Sequence, residues 1–223
     1  MSSAALKEYV LLCEGGGDVA FFEHLIKSRK LPDFSVISPR WGTDNGGVSG
    51  YEGRLRALKV QPTFEVVKGL LVVGDNDGDP SSAFGGVKAQ IEAAGDFNLP
   101  KTPLTVAKGK PQSPIVVVMM LPWTDEIGQL ETLCLIAMRD TYPELAKCVD
   151  QFCQCSGTAE WRRNKLEKMT TRAMLTANCE QDPNTSLSYA WSRSTDLIPL
   201  THTCFDRIAN FLDDFPALAS NGA

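Results

Sequence analysis

Histidine is scarce in this chain: only His24 and His202 occur among 223 residues. That leaves little for a histidine-built metal centre, and both read as packing or surface positions rather than catalysts. No run of about 18 apolar residues is present, so no membrane span is expected. The first residues lack the apolar stretch of a secretory signal peptide. Net positive charge is missing too, since 22 Lys and Arg face 27 Asp and Glu for a balance of −5. Bulk attraction to nucleic acid is therefore excluded as the means of finding a partner, while a local basic track stays compatible. Repeats and low-complexity tracts are absent. The seven cysteines are an odd number, and Cys13, Cys134, Cys179 and Cys204 sit inside apolar segments. This pattern reads as reduced thiols in a cytoplasmic protein rather than a disulfide framework. Cys148, Cys153 and Cys155 cluster loosely, without the paired Cys-x-x-Cys spacing of a zinc site.

What is there is an acidic stretch around which the rest is organised. Residues 70–80 read Leu-Leu-Val-Val-Gly-Asp-Asn-Asp-Gly-Asp-Pro. A continuous Leu/Val run bounded by Gly is the pattern of a strand buried on both faces. Asp75, Asp77 and Asp79 follow it at alternate positions, and carboxylates this close repel unless a cation neutralises them. Hard oxygen donors suit Mg²⁺, Mn²⁺ or Ca²⁺.

Further buried strands are expected at 8–13, 34–38 and 114–121, and with the strand at 69–74 the four are followed in turn by segments of helical period at 19–30, 51–60, 82–94 and 129–140. Strands separated by helices imply right-handed β-α-β units and a mainly parallel four-stranded sheet flanked by helices. Beyond 141 the pattern is helical only, with helices expected at 143–154, 158–178 and 203–215 and a Ser/Thr/Asp/Pro-rich connection at 181–200. The fold class is thus α/β, with a core over 1–140 and a helical C-terminal extension over 141–223 packed on it.

Open α/β sheets hold ligands beyond the carboxyl ends of their strands. Glu14 follows the first strand, Asp75 and Asp77 the third, and Glu131 comes shortly after the fourth. If the first and third strands are neighbours, these carboxylates converge on one crevice, as two-metal phosphoryl-transfer sites require. Asp18 sits near a helix N-terminus, where capping explains it equally well. On helix 158–178, Trp161, Lys165, Lys168 and Arg172 form one stripe, and Leu166, Met169 and Ala173 another that faces the core. The basic stripe reads either as a solvated face or as a phosphate-contacting rail. Arg40, Arg54 and Arg56, with Trp41, allow the same two readings.

A strand ending in Glu14-Gly-x-x-Asp18, followed about sixty residues later by a strand ending in Asp75-x-Asp77, resembles the Toprim domain of topoisomerases, bacterial primases and related nucleases. The likeness is strongest to stand-alone Toprim-like proteins related to the OLD nuclease domain, which share an acid in a Leu-Glu pair, here Leu130-Glu131. It covers roughly residues 7–140. The resemblance implies Glu14 as general acid/base or metal ligand, with Asp75, Asp77 and Asp79 as metal ligands. Asp18 and Glu131 would complete a second metal position, and Lys165 or Lys168 would stabilise charge on the scissile phosphate. It implies Mg²⁺ or Mn²⁺ as cofactor and DNA or RNA as substrate. OLD-type nucleases pair this domain with an ATPase, and no Gly-x-x-x-x-Gly-Lys-Ser/Thr loop is present here, so an ATPase would come from a separate partner chain. No membrane association is expected, and a homodimer is compatible with all of this.

Three alternatives concern the same residues. An ordinary Asx/Gly turn explains the aspartates without metal. An EF-hand fits poorly, because Pro80 stands where Gly is needed and Gly86 where Glu is needed. A haloacid-dehalogenase-type phosphatase shares the strand-then-Asp-x-Asp-Gly pattern, usually on its first strand. At the level of function, the alternatives to a nuclease are a non-catalytic metal-binding regulatory module and a small-molecule phosphohydrolase.

Overall fold

Four Val/Leu/Ile-rich runs form the strands, as their composition dictates. They are β1 (Tyr9–Leu12), β2 (Phe34–Ile37), β3 (Gly69–Asp75) and β4 (Ile115–Leu121). The computed structural model describes residues 5–39, 47–107, 113–193 and 197–221. All strand pairs are parallel, in the order β2-β1-β3-β4. β1 and β3 are therefore neighbours, with Leu12 level with Val72.

Alternation along each strand sends side chains to opposite faces. Val10, Leu12, Leu70, Val72, Val116 and Val118 meet α2 (Tyr51–Lys59) and α3 (Pro80–Ala94) through Leu55, Leu58, Val87 and Ile91. Leu11, Leu71, Val73, Val117 and Met119 face the other way, into a larger cluster. That cluster takes in α1 (Gly16–Arg29), α4 (Leu130–Thr141), α5 (Pro143–Ser156), α6 (Arg163–Asn178), α7 (Leu187–Arg193) and α8 (Asp206–Asn221). The helices beyond 141 thus share one apolar core with the sheet. Gly69 shows how close they come: a Cβ there would meet the Phe215 ring at 2.7 Å.

Three segments differ from the sequence expectation. The helix expected over 158–178 is divided, because Gly157 turns left-handed (φ 74°) after α5 and Trp161 and Arg162 are extended between a 3-10 turn, Thr158–Glu160, and α6. On α6, Thr170, Thr171, Met174 and Leu175 take the deepest positions, while Leu166, Met169 and Ala173 pack only partly buried. The connection 181–200 contains α7, whose Trp191 is buried against Phe21 and donates its indole N–H to the Ile198 carbonyl at 3.2 Å. Among the described residues, no helix is long and apolar enough to cross a membrane.

Candidate functional site

The carboxyl edge of the sheet collects the acids because β1, β3 and β4 all end there. Past β1, Glu14 leads into Gly15, the N-cap of α1. Asp18, at the third helical position, accepts the Gly15 N–H at 2.8 Å, so the capping role is real. Asp18 also lines the same pocket as Glu14, so capping does not exhaust it. The start of α1 is packed closely under α7: a Cβ on Gly16 would lie 3.2 Å from Ser188 Oγ, and one on Gly17 3.5 Å from Leu187.

At the end of β3, Gly74 has no room for a side chain, since a Cβ would approach Val87 Cγ2 to 2.9 Å. The next residue ties three elements together. The Asp75 N–H donates to Glu14 Oε1 at 2.9 Å, and Asp75 Oδ1 accepts the Leu130 N–H at 3.1 Å, at the first turn of α4. Glu131 sits in that same first turn, where the helix dipole favours an anion.

Asp77 pairs antiparallel with Gly128, its N–H donating to the Gly128 carbonyl at 2.7 Å and its carbonyl accepting in return at 2.9 Å. Its Oδ1 accepts the Asn164 side-chain amide at 3.2 Å, which docks the start of α6 beside the loop. Asp79 does something different. It is the N-cap of α3 and accepts the Ser82 N–H at 3.1 Å.

Glu14, Asp18, Asp75 and Glu131 line one open pocket of ≈ 810 Å³, to which α6 and the start of α7 contribute the other walls. Burial raises the pKa of all four. Asp18 is pushed up to about 7, by burial and then by the neighbouring Glu14 charge. Asp75 is held well above the usual carboxylate range by burial, then by Asp18 and Glu14. Burial also raises Glu14, although the Asp75 N–H pulls the other way. Burial raises Glu131, with the Lys168 ammonium opposing it.

Lys168 lines this pocket and favours the charged forms of Glu14, Asp75 and Glu131. Lys165 is exposed and does not line it. Arg172, one turn beyond Lys168, does line it and donates to the Asn184 carbonyl at 3.5 Å. Arg54 stands on α2, half-buried and away from the pocket lining, and burial lowers its pKa. Arg40, Trp41, Asp44 and Asn45 lie outside the described residues. Neither His24, stacked on Trp191, nor His202, paired with Asp140 at 3.1 Å, lines the pocket.

Among the described residues, no group of three or more His, Cys, Asp or Glu is arranged so that it could hold a metal ion. The acids share one cavity without forming a closed coordination cage.

Two supporting residues escape sequence reasoning. Asn76 is fully buried, and its amide donates to the carbonyls of Trp123 at 3.4 Å, Thr124 at 3.0 Å and Glu126 at 2.8 Å, fixing the loop after β4. Gln129, also fully buried, donates to the Asn164 carbonyl at 2.9 Å. Asn76 stands among aspartates as one more turn-forming residue, and nothing local marks it as an anchor.

A model of one protein family, described as a protein of unknown function (DUF3226), matches residues 8–216. No curated protein and no solved structure matches the chain.

Proposed function

The chain belongs to the DUF3226 family, and we propose that it is a divalent-metal-dependent phosphodiester hydrolase acting on DNA or RNA. One observation carries this reading: four partly buried carboxylates with raised pKa line a single pocket together with Lys168. Acids in a cleft whose pKa is raised by desolvation and by specific charged neighbours are candidates for a functional site. The likeness of Glu14-x-x-x-Asp18 and Asp75-x-Asp77 to the Toprim motifs points the same way.

The donors suit a hard cation. Glu14, Asp18, Asp75 and Glu131 would hold it, with Asp77 at the rim, and Asp79 is left to cap α3. Because these side chains do not stand as a closed cage, in this reading they draw together as the ion replaces their protons. A bound Mg²⁺ or Mn²⁺ supplies water activation and charge neutralisation at the leaving oxygen. The chain's own groups do the rest. Asp75 fixes the Glu14 carboxylate through its N–H, so that Glu14 is oriented to take or give a proton. Lys168 presents a cation where negative charge builds on the phosphate.

Nuclease assay of the wild type against Asp75→Ala, with Mg²⁺ or Mn²⁺, tests the proposal. Equal activity in the two proteins sinks it. Turnover of a simple aryl phosphate without cleavage of nucleic acid would establish a small-molecule phosphohydrolase instead. Metal binding with no turnover at all would identify a regulatory module. The free cysteines, most of them buried, suit the cytoplasm. A separate ATPase partner is part of this proposal through the OLD likeness, and so is a homodimer; co-purification and mass measurement test them.

A further inference from the structure

The pocket has a second half that the acids do not occupy. Its wall is α6, where Asn164, Lys168, Arg172 and Thr176 follow one another at intervals of four. Residues so spaced lie on neighbouring turns of one face. Asn164 touches the acidic loop through Asp77, Lys168 faces the carboxylates, and Arg172 and Thr176 continue along the pocket away from them. Across from it, Ser186 and Ser188 offer hydroxyls and Leu187 an apolar side chain, while Met169 and Ala173 of α6 add apolar surface beside the cationic row. A cationic row beside an apolar wall is the chemistry that takes a phosphodiester chain on one side and an unpaired base on the other.

Size decides between paired and unpaired nucleic acid. Successive positions in the row are about 6 Å apart along the helix, the same order as the repeat of an extended nucleotide strand. A cavity of ≈ 810 Å³ takes one or two nucleotides. A duplex, with two backbones and stacked base pairs between them, does not fit within that volume. Resting on the hydrolytic reading above, we propose that the pocket receives a single-stranded or frayed nucleic-acid end. In that pose the scissile phosphate lies at Lys168 and the acids, the adjacent phosphate lies on Arg172, and one base rests against Leu187.

The test is fluorescence anisotropy of a labelled single strand of about 12 nucleotides, with Ca²⁺ replacing Mg²⁺ so that binding is read separately from cleavage. The same strand annealed into a blunt duplex and a free mononucleotide competitor are the comparisons. The single strand is expected to bind at least roughly tenfold tighter than the duplex and to outcompete the mononucleotide. Arg172→Gln should weaken single-strand binding several-fold and reduce the slope of log affinity against log salt by about one. A loss through misfolding would leave that slope uninterpretable, so the thermal melt of Arg172→Gln is compared with the wild type, and Lys147→Gln on α5 serves as a charge-matched control. Equal binding of duplex and single strand overturns the inference. So does an unchanged salt slope in Arg172→Gln, or a mononucleotide that competes as well as the strand. Each of these leaves Mg²⁺-dependent hydrolysis standing. Single-strand preference with no Mg²⁺-dependent cleavage supports the inference and removes only the hydrolytic reading.

Discussion

The backbone N–H of Asp75 donates to the Glu14 carboxylate across 61 positions of sequence, at 2.9 Å. This bond joins the ends of two neighbouring parallel strands and places two acids in one pocket. A carboxylate that accepts an N–H is partly stabilised as an anion, yet desolvation still dominates at partly buried Glu14 and raises its pKa. The outcome is a site whose charge is costly without a cation.

That cost gives a pH dependence. Asp18 rises from 3.8 to about 7 on folding, and Glu14, Asp75 and Glu131 move in the same direction. A carboxyl whose folded pKa is raised contributes stability that is fully present below its unfolded pKa and is lost as pH rises through the folded one. The metal-free protein should therefore melt at progressively lower temperature as pH climbs from near 4 through about 7. Asp18→Asn should flatten the curve. Thermal melts in chelator across this range check it, and a melting temperature that rises with pH would refute it.

The two lysines should separate cleanly. Lys168 shares the pocket with the acids and Lys165 does not. Lys168→Met should lower Mg²⁺-dependent turnover by about a hundredfold, the scale of losing one preorganised stabiliser. Lys165→Met, an exposed substitution, should change it by no more than about twofold. Initial rates at saturating Mg²⁺ decide.

Asp79 should matter for stability rather than chemistry. It caps α3 through the Ser82 N–H, and removing such a cap costs about 1 kcal/mol. Asp79→Ala should lower the urea midpoint while leaving metal affinity unchanged, and Asp79→Ser should restore most of the loss. Metal affinity that drops in both variants would return Asp79 to the ligand set.

Gly128 holds the partner side of the Asp77 bridge at φ +141°, with Thr132 Oγ1 close to where a Cβ would stand. Gly128→Ala should cost about 1–3 kcal/mol of stability and loosen the loop that carries Asp77. Chemical denaturation measures the first effect. Faster amide exchange at Asp77, whose N–H donates to the Gly128 carbonyl, reports the second.

Much of this molecule was legible residue by residue. The Leu/Val run 70–73 marks a buried strand wherever it lies in the sheet, and Glu14, Asp75 and Glu131 announce themselves because each follows such a segment. Hydrophobic period and strand-end chemistry are local, so the sequence alone determined the α/β class, the parallel connections and the identity of the acids. Asp18 shows where local reading stops, since capping and pocket lining coincide in one side chain.

Only the tertiary structure decided the rest. The order β2-β1-β3-β4 brings Glu14 and Asp75 together, and that order depends on packing between segments far apart in the chain. Lys165 and Lys168 share a stripe in sequence, but the Asn164–Asp77 contact fixes the rotation of α6 so that Lys168 faces the acids. Asp79 follows the same alternate spacing as Asp75 and Asp77, and the start of α3 claims it as a cap. The seven residues of α7 are too few to carry a helical period, so its place over the pocket, set by Leu187 against Gly17 and Trp191 against Phe21, had no sequence signal. Patterns that repeat within a few residues fix which elements form. Which side chains face one another is a non-local balance of burial and close packing, settled only when the whole chain folds.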